Sequence, residues 1–177
     1  MSVQSISNDT YMIEKPAHKL KHEWVLWYHP TSNPDWSIKS YTKVCDFKNI
    51  EDVIIILKLI PDYIICNCYF FIMKKNIDPI IEHEKNRNGG YFKYRITNKY
   101  VYDTWKYLTY ALTGGTISKN KLFLEQVNGI SISPKKNFCV IKIWMKRCDF
   151  QNPELITNEI KYLIPNTALF TIHKPEF

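Results

Sequence analysis

From His22 to Tyr28 the chain alternates, with Trp24, Leu26 and Tyr28 on one side and Val25 and Trp27 on the other. That is the period of a strand, apolar on both faces. Alternating or short apolar stretches recur at Thr42–Phe47, Cys66–Lys74, Ile77–His83, Tyr91–Thr97, Leu124–Ser133, Phe138–Met145 and Ala168–His173, which predicts about eight strands. Ile77–His83 and Tyr91–Thr97 flank the turn KNRNGG, and strands joined in this hairpin fashion make an antiparallel sheet.

Three segments change period. Val101, Trp105, Leu108 and Leu112 recur at helical spacing and stop at Gly114-Gly115, which predicts a helix with a glycine terminus. The run VIIILKLI up to Pro61 is rich enough in Ile to suit a strand, but Asn49 as a cap, Glu51 and Asp52 in the first turn and the closing proline favour a helix. Its core face is Val53, Ile56, Leu57 and Ile60, which leaves Ile54, Ile55 and Leu59 pointing elsewhere. Asn152-Pro153 opens a third predicted helix, with Ile156, Ile160, Leu163 and Ile164 on one face. Strands and helices do not alternate as βαβ units, so the fold class is α+β, one curved antiparallel sheet with three helices on a single face. Residues 1–19 are polar and aperiodic and read as a flexible arm, and residues 20–177 as one domain.

Composition narrows the chemistry. No stretch approaches the roughly 18 apolar residues of a membrane span, and Met1–Lys21 has no signal-peptide core, so the expected setting is cytoplasmic, away from membranes. Five cysteines, with neither CxxC nor zinc-finger spacing, predict reduced thiols, and the scattered histidines form no metal or triad signature. The expectation is a non-enzymatic protein with no metal and no cofactor. A net charge of +7 favours an anionic partner, and an aromatic content of 15% supplies faces on which bases stack.

The order of motifs is more specific. HEWVLWY, the looped Trp36, the helix start IED, DPIIEHEKNRNGG, a helix bearing Trp105 and finally VIKIW resemble the eukaryotic translation initiation factor 4E family of messenger-RNA cap-binding proteins. EHEKNRNGG is close to the family's EDEKNKRGG, and HEWVLWY to its RWALWF. The resemblance spans about His18 to Met145 and implies a cup-shaped sheet backed by helices on its convex face. It also implies 7-methylguanine held between two tryptophans. Methylation makes the base cationic, so indole faces add a cation–π attraction to stacking.

On this resemblance Trp24 and Trp27 shape the cup, and Trp36 is the stacking tryptophan carried on a loop. Glu82 is the carboxylate that accepts from the base edge, and Trp144 lines the methyl pocket. Lys135, Lys136 and Lys142 are the phosphate candidates. Two positions depart from the family. Its second stacking Trp is Ile81 here, so the other face of the base falls to Ile81 itself, to His83, Tyr91 or Phe92, or to a loop residue. The arginine after GG is Tyr91. On the helix side, the tryptophan that grips scaffold and repressor peptides falls at Ile54, with nearby positions at Lys106 and Tyr107; Ile50, Ile54 and Ile55 still offer an apolar patch for a partner helix.

The implied function is binding of capped mRNA for translation initiation. Two alternatives share the fold: an interaction module or repressor that has lost the cap, and a binder of a different modified 5′ end. The Lys-, Ile- and Asn-rich composition suits an AT-rich genome, such as that of a large DNA virus, for which the setting becomes the host cytoplasm.

Overall fold

A computed structural model describes residues 17–176. Residues 1–16, most of the expected arm, lie outside the described residues; β1 begins at Lys19, one residue ahead of the expected boundary. Seven strands form one antiparallel sheet: β1 (Lys19–His29), β2 (Thr42–Asn49), β3 (Tyr69–Lys74), β4 (Gly90–Thr97), β5 (Val127–Pro134), β6 (Phe138–Met145) and β7 (Leu169–Ile172). Their order across the sheet is β2-β1-β3-β5-β6-β4-β7.

Alternation along the strands divides the side chains between two faces. Trp24 and Leu26 of β1, Ile72 of β3, Phe92 and Tyr94 of β4, and Ile141 and Ile143 of β6 all point into one large core. Helices α1 (Ile50–Leu59) and α3 (Asn98–Thr113) cover that core, and the shorter α2 (Asp62–Ile65) and α4 (Lys121–Gln126) complete the helical set. The second face carries a smaller cluster of Phe71, Met73, Ile77 and Trp144, against which Trp27, Tyr41, Tyr69 and Ile81 pack. The helices therefore close one side and leave the other open.

Both long helices form as their periods predict. In α1, the Asp52 carboxylate accepts hydrogen bonds from the backbone N–H groups of Lys48 and Asn49, satisfying donors at the helix entrance. Val53 and Leu57 are buried, Ile56 and Ile60 half-buried, and Ile54, Ile55 and Leu59 exposed. In α3, Val101, Trp105, Leu108 and Leu112 are all buried. The helix ends at Gly114, and Gly115 follows at φ +69°, the left-handed conformation that glycine adopts at least cost.

Two predicted elements are corrected. Ile77–His83 is not a strand but an irregular, turn-rich segment, entered through Asn76 at φ 63°. Pro79 has no N–H for a ladder, and the apolar residues that suggested a strand are used to seat the segment, with Ile77 buried and Ile81 half-buried. β4 accordingly lies between β6 and β7, away from β3. The predicted helix after Asn152-Pro153 is a single 3₁₀ turn, Pro153–Leu155. Ile156, Ile160 and Leu163 are buried as expected, but on irregular chain, and Ile164 is exposed. The Thr157 N–H bonds across to the Ile117 carbonyl, and the Thr157 hydroxyl accepts from the Glu159 N–H, which diverts the backbone from a helical path. Sequence reading also missed α2 and placed the end of α4, from Leu124, in a strand; the Asn120 side chain caps α4 by accepting from the N–H groups of Leu122 and Phe123.

The turn before β4 is closed by contact rather than by dihedral preference. A Cβ on Gly89 would sit 1.8 Å from the Met145 carbonyl oxygen, and one on Gly90 would sit 2.5 Å from that of Thr171. Gly89→Ala is accordingly expected to destabilise the fold by about 2 to 3 kcal/mol or more. Urea unfolding measures it, and a loss below about 0.5 kcal/mol would show that the backbone here yields freely.

Candidate functional site

Trp36 stands on the loop between β1 and β2, and local hydrogen bonds set its place. The Asp35 N–H bonds to the Asn33 side chain, while the Asp35 carboxylate accepts from both the N–H and the hydroxyl of Ser37. These bonds hold the Asp35 carboxyl below its ordinary pKa. Behind the loop lies His29, the fully buried last residue of β1, whose Nε2 donates to the Asp35 carbonyl at 2.8 Å. Its ring is parallel to the Trp36 indole, 4.2 Å between centroids at an interplanar angle of 5°. His29 thus covers one face of Trp36, and the indole as a whole remains 48% exposed.

Ring contacts continue from Trp36 across the open face. Tyr69 and Tyr41 meet Trp36 edge-on at 5.1 and 6.4 Å, Tyr41 meets Phe71 at 5.2 Å, and Phe71 meets Trp144 at 6.2 Å. Beyond Trp144 lie Tyr91 and His173. Trp144 is 4% exposed and donates its indole N–H to the Ser131 hydroxyl at 2.9 Å, which fixes the ring. Ile81 packs against this same cluster.

Glu82 reaches the open face on the irregular segment. It lies close enough to Tyr41 and His173 for its charge to act on both: burial first, then Glu82 and Asp35, push the Tyr41 hydroxyl pKa up. For His173 burial dominates and lowers the pKa, with Glu82 opposing. Asn86, fully buried, holds the segment in place. Its Nδ2 donates to the carbonyls of Asp78 and Ile80, its Oδ1 accepts from the Asn128 side chain, and its own carbonyl accepts from His173 Nδ1 at 2.7 Å.

The positive candidates separate by position. Lys142, on β6 beside Trp144, lies 4.2 Å over the Tyr91 ring, and burial lowers its ammonium pKa, with the charges of Lys93 and Lys135 adding to the effect. Lys135 and Lys136 are exposed in the β5–β6 turn, where the Lys135 N–H bonds to the Phe138 carbonyl. Trp36, Ile81, Glu82, Trp144, Lys142 and Lys135 therefore all belong to the open side of one sheet. Phe92 does not, since it is fully buried in the helix-side core and is removed from the candidates for the second base face. His83 is occupied locally, with its Nδ1 accepting from the Lys85 N–H. Tyr91 remains on the open face, and Tyr41 joins it.

Sequence reading missed His29, Tyr41 and Asn86. The signal for His29 was present, since it lies two residues from Trp27 and therefore on the same strand face. Asn86 sat inside the quoted motif without a role.

On the helix side, Ile50, Ile54, Ile55 and Tyr107 are exposed, joined by Leu59 and Tyr63. Lys106 pairs with Asp103 and lies over the rings of Tyr102 and Tyr107.

Residues 19–174 match the profile of the family described as Eukaryotic initiation factor 4E. The chain belongs to that family. Among its relatives are the Eukaryotic translation initiation factor 4E-2 of Schizosaccharomyces pombe, 30% identical over 75% of this chain and 56% of its own length, and a factor 4E homolog of Acanthamoeba polyphaga mimivirus, 26% identical over 65% and 50%. The chain spans about half the length of these two relatives. The initiation factor 4E fold also appears in solved structures. One from Ascaris suum in complex with an m7G cap has a TM-score of 0.74 at 19% identity, covering 90% of this chain and 93% of that one. One from a schistosome, complexed with m7GpppG and a 4E-binding protein, has a TM-score of 0.69 at 22% identity, covering 76% and 75%.

Asn86 gives the site its first test. Asn86→Ala takes the partner from the carbonyls of Asp78 and Ile80 and leaves the Asn128 amide only its bond to the Lys85 carbonyl, and is expected to lower stability by about 2 to 4 kcal/mol. Hydrogen exchange should show the backbone amides of segment 76–89 losing protection first. Unchanged protection there would mean that other contacts hold the segment.

Proposed function

We propose that this chain binds the 7-methylguanosine cap of mRNA through the open face of its sheet and promotes translation initiation in the cytoplasm without catalysing a reaction. The observation that carries this reading is the half-exposed Trp36, held parallel on His29 and joined by ring contacts to the Trp144 cluster, with Glu82 at the same face. A cationic base stacked on Trp36 gains both apolar contact and attraction to the indole face. The Glu82 carboxylate accepts from the N1 and N2 donors of the guanine edge, a pairing that unmethylated and methylated guanine share. Trp144 borders the methyl group. Lys142, Lys135 and Lys136 hold the triphosphate.

The second face of the base is covered without a second tryptophan. Ile81 contributes aliphatic contact, and the open-face rings of Tyr41 and Tyr91 supply the aromatic surface. Family membership and the cap ligands in the solved structures named above support the reading. The exposed residues Ile50, Ile54, Ile55 and Tyr107, with Lys106 between tyrosines, form an apolar surface on the helix side suited to a scaffold or repressor helix.

Trp36→Ala is expected to weaken binding of a 7-methylated cap analogue at least about tenfold, equivalent to about 1.4 kcal/mol or more. Tryptophan quenching follows the titration, and an unchanged dissociation constant removes Trp36 from the site. Charge removal tests the triphosphate end: Lys135→Ala/Lys136→Ala should weaken 7-methylguanosine triphosphate far more than the nucleoside, and more so at low salt. Equal losses for the two ligands would deny these lysines a phosphate role.

A further inference from the structure

On β4, Tyr91, Lys93 and Arg95 share the open face, each about 6.5 Å from the next. β6 lies beside it in register, Trp144 opposite Tyr91, Lys142 opposite Lys93, and Val140 opposite Arg95. A line drawn from the Trp144–Tyr91 contact along the two strands therefore passes Lys142 and Lys93 and ends at Arg95. There the Arg95 guanidinium lies 3.8 Å over the ring of Phe138, at the start of β6 beside the turn that carries Lys135 and Lys136.

This line is positive and unbalanced. Lys93, Arg95, Lys135, Lys136 and Lys142 form no ion pair among the described residues, where His18, Lys43, Lys75 and Lys106 are the groups seen paired with carboxylates. Burial is the main cause of the lowered Lys142 pKa, and the charges of Lys93 and Lys135 lower it further, so these neighbouring cations repel one another. A bound polyanion relieves that repulsion. The shape of the row selects the kind of polyanion. It is linear, it follows one strand, and it ends in a guanidinium backed by an aromatic ring, a planar fork suited to phosphate oxygens.

We propose that Lys93 and Arg95 form an RNA-tracking stripe that binds the backbone phosphates of the nucleotides following the cap. This inference rests on the cap-binding reading and extends it past the triphosphate: the cap fixes the 5′ end, and the stripe fixes the direction in which the RNA leaves.

Titrations of m7GpppG, a capped hexanucleotide and the same hexanucleotide uncapped, against the intact chain and its Lys93→Gln/Arg95→Gln variant, test it. The unmodified protein should bind the capped hexanucleotide more tightly than m7GpppG, and the variant should lose that excess, with any loss for m7GpppG, from the place of Lys93 opposite Lys142, being the smaller of the two. Each phosphate contact on single-stranded nucleic acid contributes about 0.7 to the slope of log K against log salt, so the slope should flatten by about 1.4. Between about 50 and 200 mM salt, this makes the hexanucleotide advantage fall about sevenfold more in the unmodified protein than in the variant. A Lys58→Gln/Lys99→Gln variant, with charges removed on helical elements, should retain the full advantage. The inference is overturned if m7GpppG and the capped hexanucleotide bind equally well, if Lys93→Gln/Arg95→Gln keeps the difference, or if Lys58→Gln/Lys99→Gln loses as much. If instead m7GpppG fails to bind but both hexanucleotides bind alike through Lys93 and Arg95, the cap reading falls and the stripe stands.

Discussion

The buried Asn86 side chain lets an irregular segment behave as part of the sheet. Residues 76–89 have neither helix nor ladder to satisfy their peptide groups, yet they carry Ile81 and Glu82 to the open face. One carboxamide answers two of their carbonyls, receives the Asn128 amide, and sits on a residue whose own carbonyl is met by His173. Without those bonds the segment would leave buried polar groups unpaired, at about 1 to 3 kcal/mol apiece, and the position of Glu82 would be lost. The glycine contact at Met145 closes the same segment onto the end of β6, the strand that carries Trp144. Site geometry and loop stability thus rest on the same few atoms.

The two faces of the sheet divide the work. One is filled with aliphatic and aromatic side chains beneath α1 and α3, and its apolar burial stabilises the fold. The other carries aromatic rings at graded exposure, from the nearly buried Trp144 to the half-open Trp36. A stacked His29–Trp36 pair uses this arrangement well. His29 is anchored by its bond to the Asp35 carbonyl and orders the exposed indole before any ligand arrives. Pre-ordering of this kind reduces the entropy lost on binding.

Much of this was legible in the sequence because strand and helix periods are local. The core faces of α1 and α3 followed from spacing, caps and terminators, and the α+β class from the order of elements. The errors lie where apolar spacing fits more than one backbone. Ile156, Ile160 and Leu163 are buried as a helix would bury them, but a cross-link from Thr157 to Ile117 holds them on irregular chain. Ile77 and Ile81 mimic a strand because both must seat a loop. The site was legible only as a motif. Trp36, Glu82 and Trp144 come from the family pattern, whereas the His29 stack, the place of Tyr41 and the hydrogen-bond hub at Asn86 depend on contacts between segments distant in sequence. Phe92 was misplaced among the candidates because the pleat, unlike the motif, turns it to the opposite face from Tyr91.

The central claim is recognition of the positive charge on a methylated base by stacked and bordering rings. Calorimetric titration of 7-methyl-GTP and GTP under identical conditions changes only the methyl group and the charge it brings, because the two ligands share the guanine edge and the triphosphate for which Glu82 and the lysines are proposed. The account predicts tighter binding of the methylated nucleotide by about tenfold or more, the scale of a desolvated cation–π contact of about 2 kcal/mol. Equal affinity for the two nucleotides would contradict it.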